Sequence, residues 1–203
     1  MRKVDPERQR ARRQQIVGAA AALFAERGFD RTTTAEICAA AGMSSGNLFH
    51  YFPNKRAILH ALYEGEPEER AERERRLAAA RDAADPWEGL RDTVDLLAAD
   101  ALAPLVPALV MEAMVQAYRD QELAELLERD NLQEHGTLVH LLKRTASASL
   151  TDPSLEPEST ATWIQALIGT LYTSAATDPS FDPAVELPTL HLIITRYLRP
   201  TSG

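Results

Sequence analysis

Apolar residues recur at helical spacing along almost the whole chain, and period-2 alternation is nearly absent. The first run, about Pro6 to Arg27, places Ile16, Ala20, Leu23 and Phe24 on one face. Pro6 suits a first turn, and Gly28 supplies the stop. Thr33-Thr34-Ala35-Glu36 has the form of a capping box, opening a short helix from Thr34 to about Ala41 with Ile37 and Ala41 inward. Gly42 ends it, Met43 sits in the turn, and Ser44 caps a second short helix over Ser45 to Tyr51. Phe52-Pro53 closes that helix, because the residue before a proline is held extended. Asn54 caps the next, which begins at Lys55. Two helices of about two turns each, joined by a turn at Gly42, make a helix-turn-helix.

Beyond it the pattern stays helical. Ile58, Leu59 and Leu62 form a stripe, and Gly65 with Pro67 either kinks or breaks that helix. Asp85-Pro86 opens a helix to about Leu102, and Pro104 and Pro107 mark the next boundary. Further helices are expected to about Tyr118, over Gln121 to Ala146, over Glu158 to Ala176, and over Val185 to Leu198. The expected fold is all-α, with a helix-turn-helix domain over residues 1–54 and a larger helical domain over 55–203.

Composition supports this reading: 45% of residues are hydrophobic and 26% charged, an ordinary globular balance. The single cysteine, Cys38, forbids an internal disulfide and is expected as a small buried apolar residue. No signal-peptide core and no uninterrupted apolar span is visible, so a cytoplasmic location without membrane contact is expected. The net charge of −8 hides an asymmetry: residues 1–56 hold ten Lys/Arg against five Asp/Glu, and residues 57–203 hold twelve against twenty-five. Phosphates would attract the basic head and repel the acidic body.

The stretch from Gly28-Phe29-Asp30-Arg31-Thr32-Thr33 through Ile37 to Ala41-Gly42-Met43-Ser44-Ser45-Gly46-Asn47-Leu48-Phe49-His50-Tyr51-Phe52-Pro53-Asn54-Lys55 resembles the N-terminal domain of TetR-family regulators. The match covers roughly residues 12–62. The resemblance implies a three-helix DNA-binding domain on a ligand-binding and dimerisation domain. It implies a homodimer that represses from a palindromic operator and is released by a small-molecule effector. Phe49 stands where the family often has a tyrosine whose hydroxyl meets a phosphate, so His50, Tyr51 and Lys55 inherit that role.

In this reading the second short helix enters the major groove. Ser45, Asn47 and His50 are the base-readout candidates, with Asn47 able to pair bidentately with adenine, and Leu48 is expected to pack inward against Ile37 and Phe24. Thr33, Thr34, Tyr51 and Lys55 are the expected phosphate contacts. Arg2, Lys3, Arg8, Arg10, Arg12 and Arg13 form a basic arm and helix face.

An effector pocket would draw on Trp87, Leu90, Leu97, Met111, Met114, Tyr118, His135 and Leu142, with Glu112, Asp95 or Asp100 favouring a cation. Apolar residues of this kind are more often plain core. Trp163, Leu167, Ile168, Leu171, Leu190, Ile194 and Tyr197 exceed what one inward face needs and suggest a four-helix dimer interface. No cofactor or metal is expected: His135 and His140 do not share a helical face cleanly, and no cysteine joins them or His60. No phosphate loop, nucleophile elbow or metalloprotease motif occurs, so an enzyme is not expected. The competing reading is a small-molecule-binding or scaffolding protein that does not bind DNA.

Overall fold

The computed structural model describes residues 6–199. Arg2 and Lys3 of the basic arm lie outside them. Ten α-helices and one short 3-10 helix make up the described regular structure: α1 Pro6–Arg27, α2 Thr34–Ala40, α3 Ser45–Tyr51, α4 Lys55–Glu64, α5 Pro67–Arg81, α6 Pro86–Ala99, the 3-10 turn Asp100–Leu102, α7 Val106–Ala117, α8 Gln121–Ser147, α9 Pro157–Thr177 and α10 Pro183–Leu198. No strand occurs among the described residues. None of their helices is singly long and apolar enough to cross a membrane.

The helix ends follow the local chemistry. The capping box at Thr33 and Glu36 is complete, with Glu36 N–H donating to Thr33 Oγ1 and Thr33 N–H donating to the Glu36 carboxylate. Gly42 takes φ +62°, which lets α2 end within one residue and turn toward α3. At Gly65, φ is +64° and Pro67 stands in the first turn of α5, so the helix breaks there rather than kinks. Asn54 and Asp85 cap α4 and α6 through their side chains, accepting from Ala57 and Trp87 N–H. Glu156 and Asp182 cap α9 and α10, whose first residues Pro157 and Pro183 come one and two residues ahead of the starts that periodicity suggests.

The chain forms two compact units. One comprises the described residues up to Gly65 together with Ala108–Leu126; the other comprises Glu66–Pro107 and the described residues from Leu127 on. The first unit therefore reaches past the expected boundary at residue 54. Its core is Ile16, Ala20, Phe24, Ile37, Leu48, Phe52, Ile58 and Leu59, all essentially buried, with α1 packed on α2 and α4. Cys38 is buried as expected.

Residues 108–126 are fastened to that head by polar contacts. Phe29 N–H donates to Glu112 Oε1 at 2.9 Å, and Tyr63 hydroxyl donates to Leu109 O at 2.7 Å. The Arg56 guanidinium forks onto both oxygens of Asp120 at 2.7 Å and onto Glu122 at 2.8 Å. His60 Nε2 also meets Asp120, at 2.8 Å. Arg56 holds the Asp120 carboxyl far below the usual carboxylate range, helped by His60.

The second unit packs α5 on α6, α6 on α9 and α9 on α10 around Leu77, Leu90, Val94, Leu97, Leu138, Leu141, Leu142, Ile164, Ile168, Leu171, Leu190, Ile194 and Leu198. Gly89 is what brings α6 against α5: a Cβ at that position would stand 2.3 Å from the Ala80 carbonyl oxygen. Arg144 donates to the Arg81 and Ala83 carbonyls at 2.8 and 2.7 Å, satisfying backbone acceptors at the end of α5.

Candidate functional site

On α3, Ser45, Gly46, Asn47, Phe49 and His50 are exposed, and Leu48 is fully buried. Ser44 caps the helix by accepting from Asn47 N–H at 3.3 Å. The three residues proposed from sequence for base readout are thus all exposed on a short, capped helix. Ser45 is partly engaged, since its hydroxyl lies 3.8 Å from Cys38 Sγ. His50 stacks edge-on against Tyr51 with ring centroids 5.2 Å apart.

Sequence reasoning missed three features here. Phe49 is 48% exposed, an apolar ring among the candidate readout groups. Arg13 of the basic face is used internally: its guanidinium donates to Tyr51 O at 3.0 Å and covers the Phe52 ring at 4.2 Å. Gln15 donates to Ala41 O at 2.8 Å. Together these two α1 side chains fix the C-terminal ends of α3 and α2. Helical periodicity marks both as polar-face residues, and nothing local distinguishes them from solvated neighbours.

Two of the four expected phosphate contacts are otherwise occupied. Lys55 Nζ donates to Phe29 O at 2.6 Å and Thr32 O at 2.7 Å, and lies 4.1 Å from the Phe29 ring centre. Burial pulls its ammonium below the usual lysine range. Lys55 therefore ties α4 to the turn before α2, because carbonyls left free in that turn need donors. Thr33 is likewise committed, its hydroxyl donating to Glu36 Oε2 at 2.8 Å while accepting from Glu36 N–H. Hydrogen bonds from Thr33 hold the Glu36 carboxyl low, which keeps a negative charge at that helix start. Among the described residues, no hydrogen bond engages the hydroxyls of Thr34 or Tyr51.

The expected pocket residues are divided between the two units. Leu90, Leu97 and Leu142 belong to the core of the second unit, and Trp87 packs on that core. Met111, Met114 and Tyr118 lie in the first unit; Tyr118 is 92% exposed and Met114 57%. His135 Nδ1 is 2.8 Å from Gln165 Oε1. The acids suggested for a cation are also engaged: Glu112 by Phe29 N–H, Asp95 by His191 at 2.6 Å, and Asp100 by Arg73 at 3.2 Å. A continuous helical core absorbs apolar side chains before any cavity does.

The second unit does contain a cleft of about 360 Å³ between α5 and α8, and none of those eight residues lines it. Its walls carry Arg70, Arg73 and Glu74 on one side and Arg129, Asp130 and Glu134 on the other, with Pro67, Ala71 and Leu77 supplying apolar wall on the α5 side. Arg73 donates to Glu134 Oε1 at 2.7 Å across it. Burial pushes the Glu134 carboxyl above its ordinary range, against the pull of Arg73.

The proposed interface residues divide in the same way. Ile168, Leu171, Leu190 and Ile194 are buried in the core of their own unit. Trp163 is 60% exposed and Tyr197 38%, with Leu167 between the two groups. Val185, Leu192 and Ile193, which the sequence reading left out, are also exposed. Each helix is apolar on two faces, and only the face turned away from the unit's core stays free.

Among the described residues, His60, Asp120 and Glu122 place ligand-type atoms within 4.8 Å of one another. The Arg56 guanidinium already supplies the positive charge there.

Comparison with known proteins adds to this geometry. Residues 16–62 match the family model of bacterial regulatory proteins of the tetR family. Over 62 residues the chain is 44% identical to the HTH-type transcriptional repressor Rv1474c of Mycobacterium tuberculosis, covering 30% of this chain and 33% of that protein. Across the curated relatives considered, the matched part spans between 26% and 59% of their length. The ketosteroid transcriptional regulator KstR2 of Mycobacterium tuberculosis superposes with a TM-score of 0.76 at 21% identity, over 94% of this chain and 96% of that one. A transcriptional regulator of Saccharomonospora viridis solved in complex with choline gives 0.77 at 18% identity, over 93% and 98%. At these identities the structural likeness is one of fold, and it extends through the helical body. Residues 16–62 thus carry the helix-turn-helix that the family model of bacterial regulatory proteins of the tetR family describes, on a body of the fold its solved neighbours share.

Proposed function

We propose that the protein is a DNA-binding transcriptional repressor that acts as a homodimer on a palindromic operator and responds to a small molecule held in its body. The observation that carries this reading is α3: a capped helix with Leu48 buried beneath it and Asn47, Phe49 and His50 exposed together. In this reading Asn47 and His50 address base edges, Phe49 offers an apolar face to a thymine methyl group, and Thr34 and Tyr51 meet phosphates. The family match over residues 16–62 supports the DNA-binding part. The choline complex of one fold neighbour supports a small-molecule site in the body, without extending choline to this chain. An operator-binding protein works where the DNA is, in the cytoplasm.

The second copy is expected on the free faces of α9 and α10, through Trp163, Leu192, Ile193 and Tyr197. Trp163→Glu is then expected to turn a dimer in sedimentation analysis into a monomer. The central test is a gel shift with promoter DNA beside the protein's own gene. A sequence-specific shift that weakens steeply with salt is expected. Failure to shift that DNA, or any fragment of the surrounding genome, would instead support a ligand-binding or scaffolding protein without DNA-binding activity.

A further inference from the structure

We propose that the cleft between α5 and α8 takes a small molecule carrying one positive and one negative group, which opens the Arg73–Glu134 ion pair and gives each partner a new counter-charge. This deepens the reading of the body as a ligand-binding domain and rests on it.

Six of the ten residues that line the cleft are charged, beside Pro67, Ala71 and Leu77, so a guest there meets charge as well as apolar surface. Within it, Arg73 and Glu134 are the pair most withdrawn from water, with side chains 33% and 20% exposed. Arg129, already paired with its neighbour Asp130, is 57% exposed. A withdrawn ion pair selects strongly among guests. A guest that satisfies only Arg73 leaves Glu134 as a lone charge where water reaches poorly, and one that satisfies only Glu134 leaves Arg73 with the water-exposed Asp100 as its remaining carboxylate. An uncharged guest must leave the pair closed. A guest with both charges can exchange with the pair and leave neither partner alone.

The surroundings suit such an exchange. Arg73 has a second carboxylate partner in Asp100, 3.2 Å away, so its guanidinium stays anchored when Glu134 lets go. The planar fork of Arg73 suits a carboxylate, and Arg70 lies on the same wall. Facing them, Glu134, Asp130 and Gln133 present acceptors to an ammonium group. The ion pair is a direct link between α5 and α8. Replacing it with a bridging guest changes the spacing of those two helices, which gives the guest a means of acting on the body.

Isothermal titration calorimetry on the full chain without DNA tests this, using β-alanine, γ-aminobutyrate and δ-aminovalerate as doubly charged probes and butyrate and butylamine as singly charged ones. At least one of the three is expected to bind about tenfold tighter than either singly charged probe. Glu134→Gln keeps an acceptor at the site and removes its charge; it is expected to abolish that preference while circular dichroism shows an unchanged fold. Arg73→Gln combined with Glu134→Gln is expected to do the same. Equal binding of a singly charged probe, preference retained in both variants, or no binding of any of the three overturns the proposal. Because the titration contains no DNA, a failed operator shift leaves its result standing, and a good operator shift cannot rescue it.

Discussion

The head, built from residues up to Gly65 with 108–126, and the body, built from 66–107 and 127 onward, treat polarity in opposite ways. In the head, the candidate site lies outside. Leu48 is buried, its exposed neighbours carry the donors and acceptors, and exposure alone separates packing from function. In the body, the candidate site lies partly inside. Arg73, Glu134 and Tyr172 are withdrawn from water, and burial pushes both the Glu134 carboxyl and the Tyr172 hydroxyl up. Tyr172 finds its partner in Leu97 O at 2.6 Å. A surface site therefore shows in a one-dimensional pattern, and an interior one does not, because every inward position looks like core.

The comparison can be broken most forcefully in the body. Gly89→Ala puts a methyl group against the Ala80 carbonyl, with Leu141 Cδ2 only 3.0 Å away on another side. A loss of about 3 kcal/mol in urea unfolding is expected, the upper end of what overpacking costs. A loss under about 1 kcal/mol would mean that α5 and α6 part easily to admit the methyl group.

Lys55→Ala probes the head. Two part-buried hydrogen bonds and an aromatic contact go with it, so stability is expected to fall by about 2 kcal/mol. The salt dependence of operator binding should stay as it was. A salt slope reduced by about one with stability intact would restore Lys55 as a phosphate contact.

Asn47→Ala tests the outward face of α3. Affinity for the best operator is expected to drop by about 1.5 kcal/mol with relaxed base preference at one position, and the unfolding midpoint should not move. Uniform weakening on every sequence would reduce Asn47 to a phosphate or water contact.

The smallest expected effect is on the Arg56–Asp120 clasp. The Asp120 carboxyl is depressed in the folded protein, so its contribution is complete above the ordinary carboxylate range, about pH 4, and is lost as pH falls toward the folded value. Asp120→Asn should lower the melting temperature at neutral pH and shrink its fall between about pH 4 and pH 2. An unchanged acid limb would show that the clasp adds nothing to stability.

The head was legible because its signals are local. The box at Thr33 and Glu36, the stop at Gly42, the Ser44 and Asn54 caps and the Pro53 terminator each act within a few residues, and the structure follows all of them. The roles of Thr33 and Lys55 were not legible. Their partners are close in space, yet the choice between a phosphate and an internal carbonyl depends on which acceptors the fold leaves unsatisfied. The contacts of Glu112 and Asp120 were not legible for a stronger reason: they meet Phe29 and Arg56 across 83 and 64 residues.

The amino-acid sequence by itself determined the helices, their caps, the helix-turn-helix and the side of α3 that stays free, because hydrophobic periodicity and end chemistry are short-range. Only the tertiary structure decided which apolar side chains of α6, α8, α9 and α10 serve the core and which stay exposed. It also decided that six charged side chains line the body's cleft beside Pro67, Ala71 and Leu77. Close packing is the physical reason: apolar groups fill the interior wherever helices meet, and the cleft remains where Arg73 and Glu134 keep α5 and α8 tied by a charge pair instead.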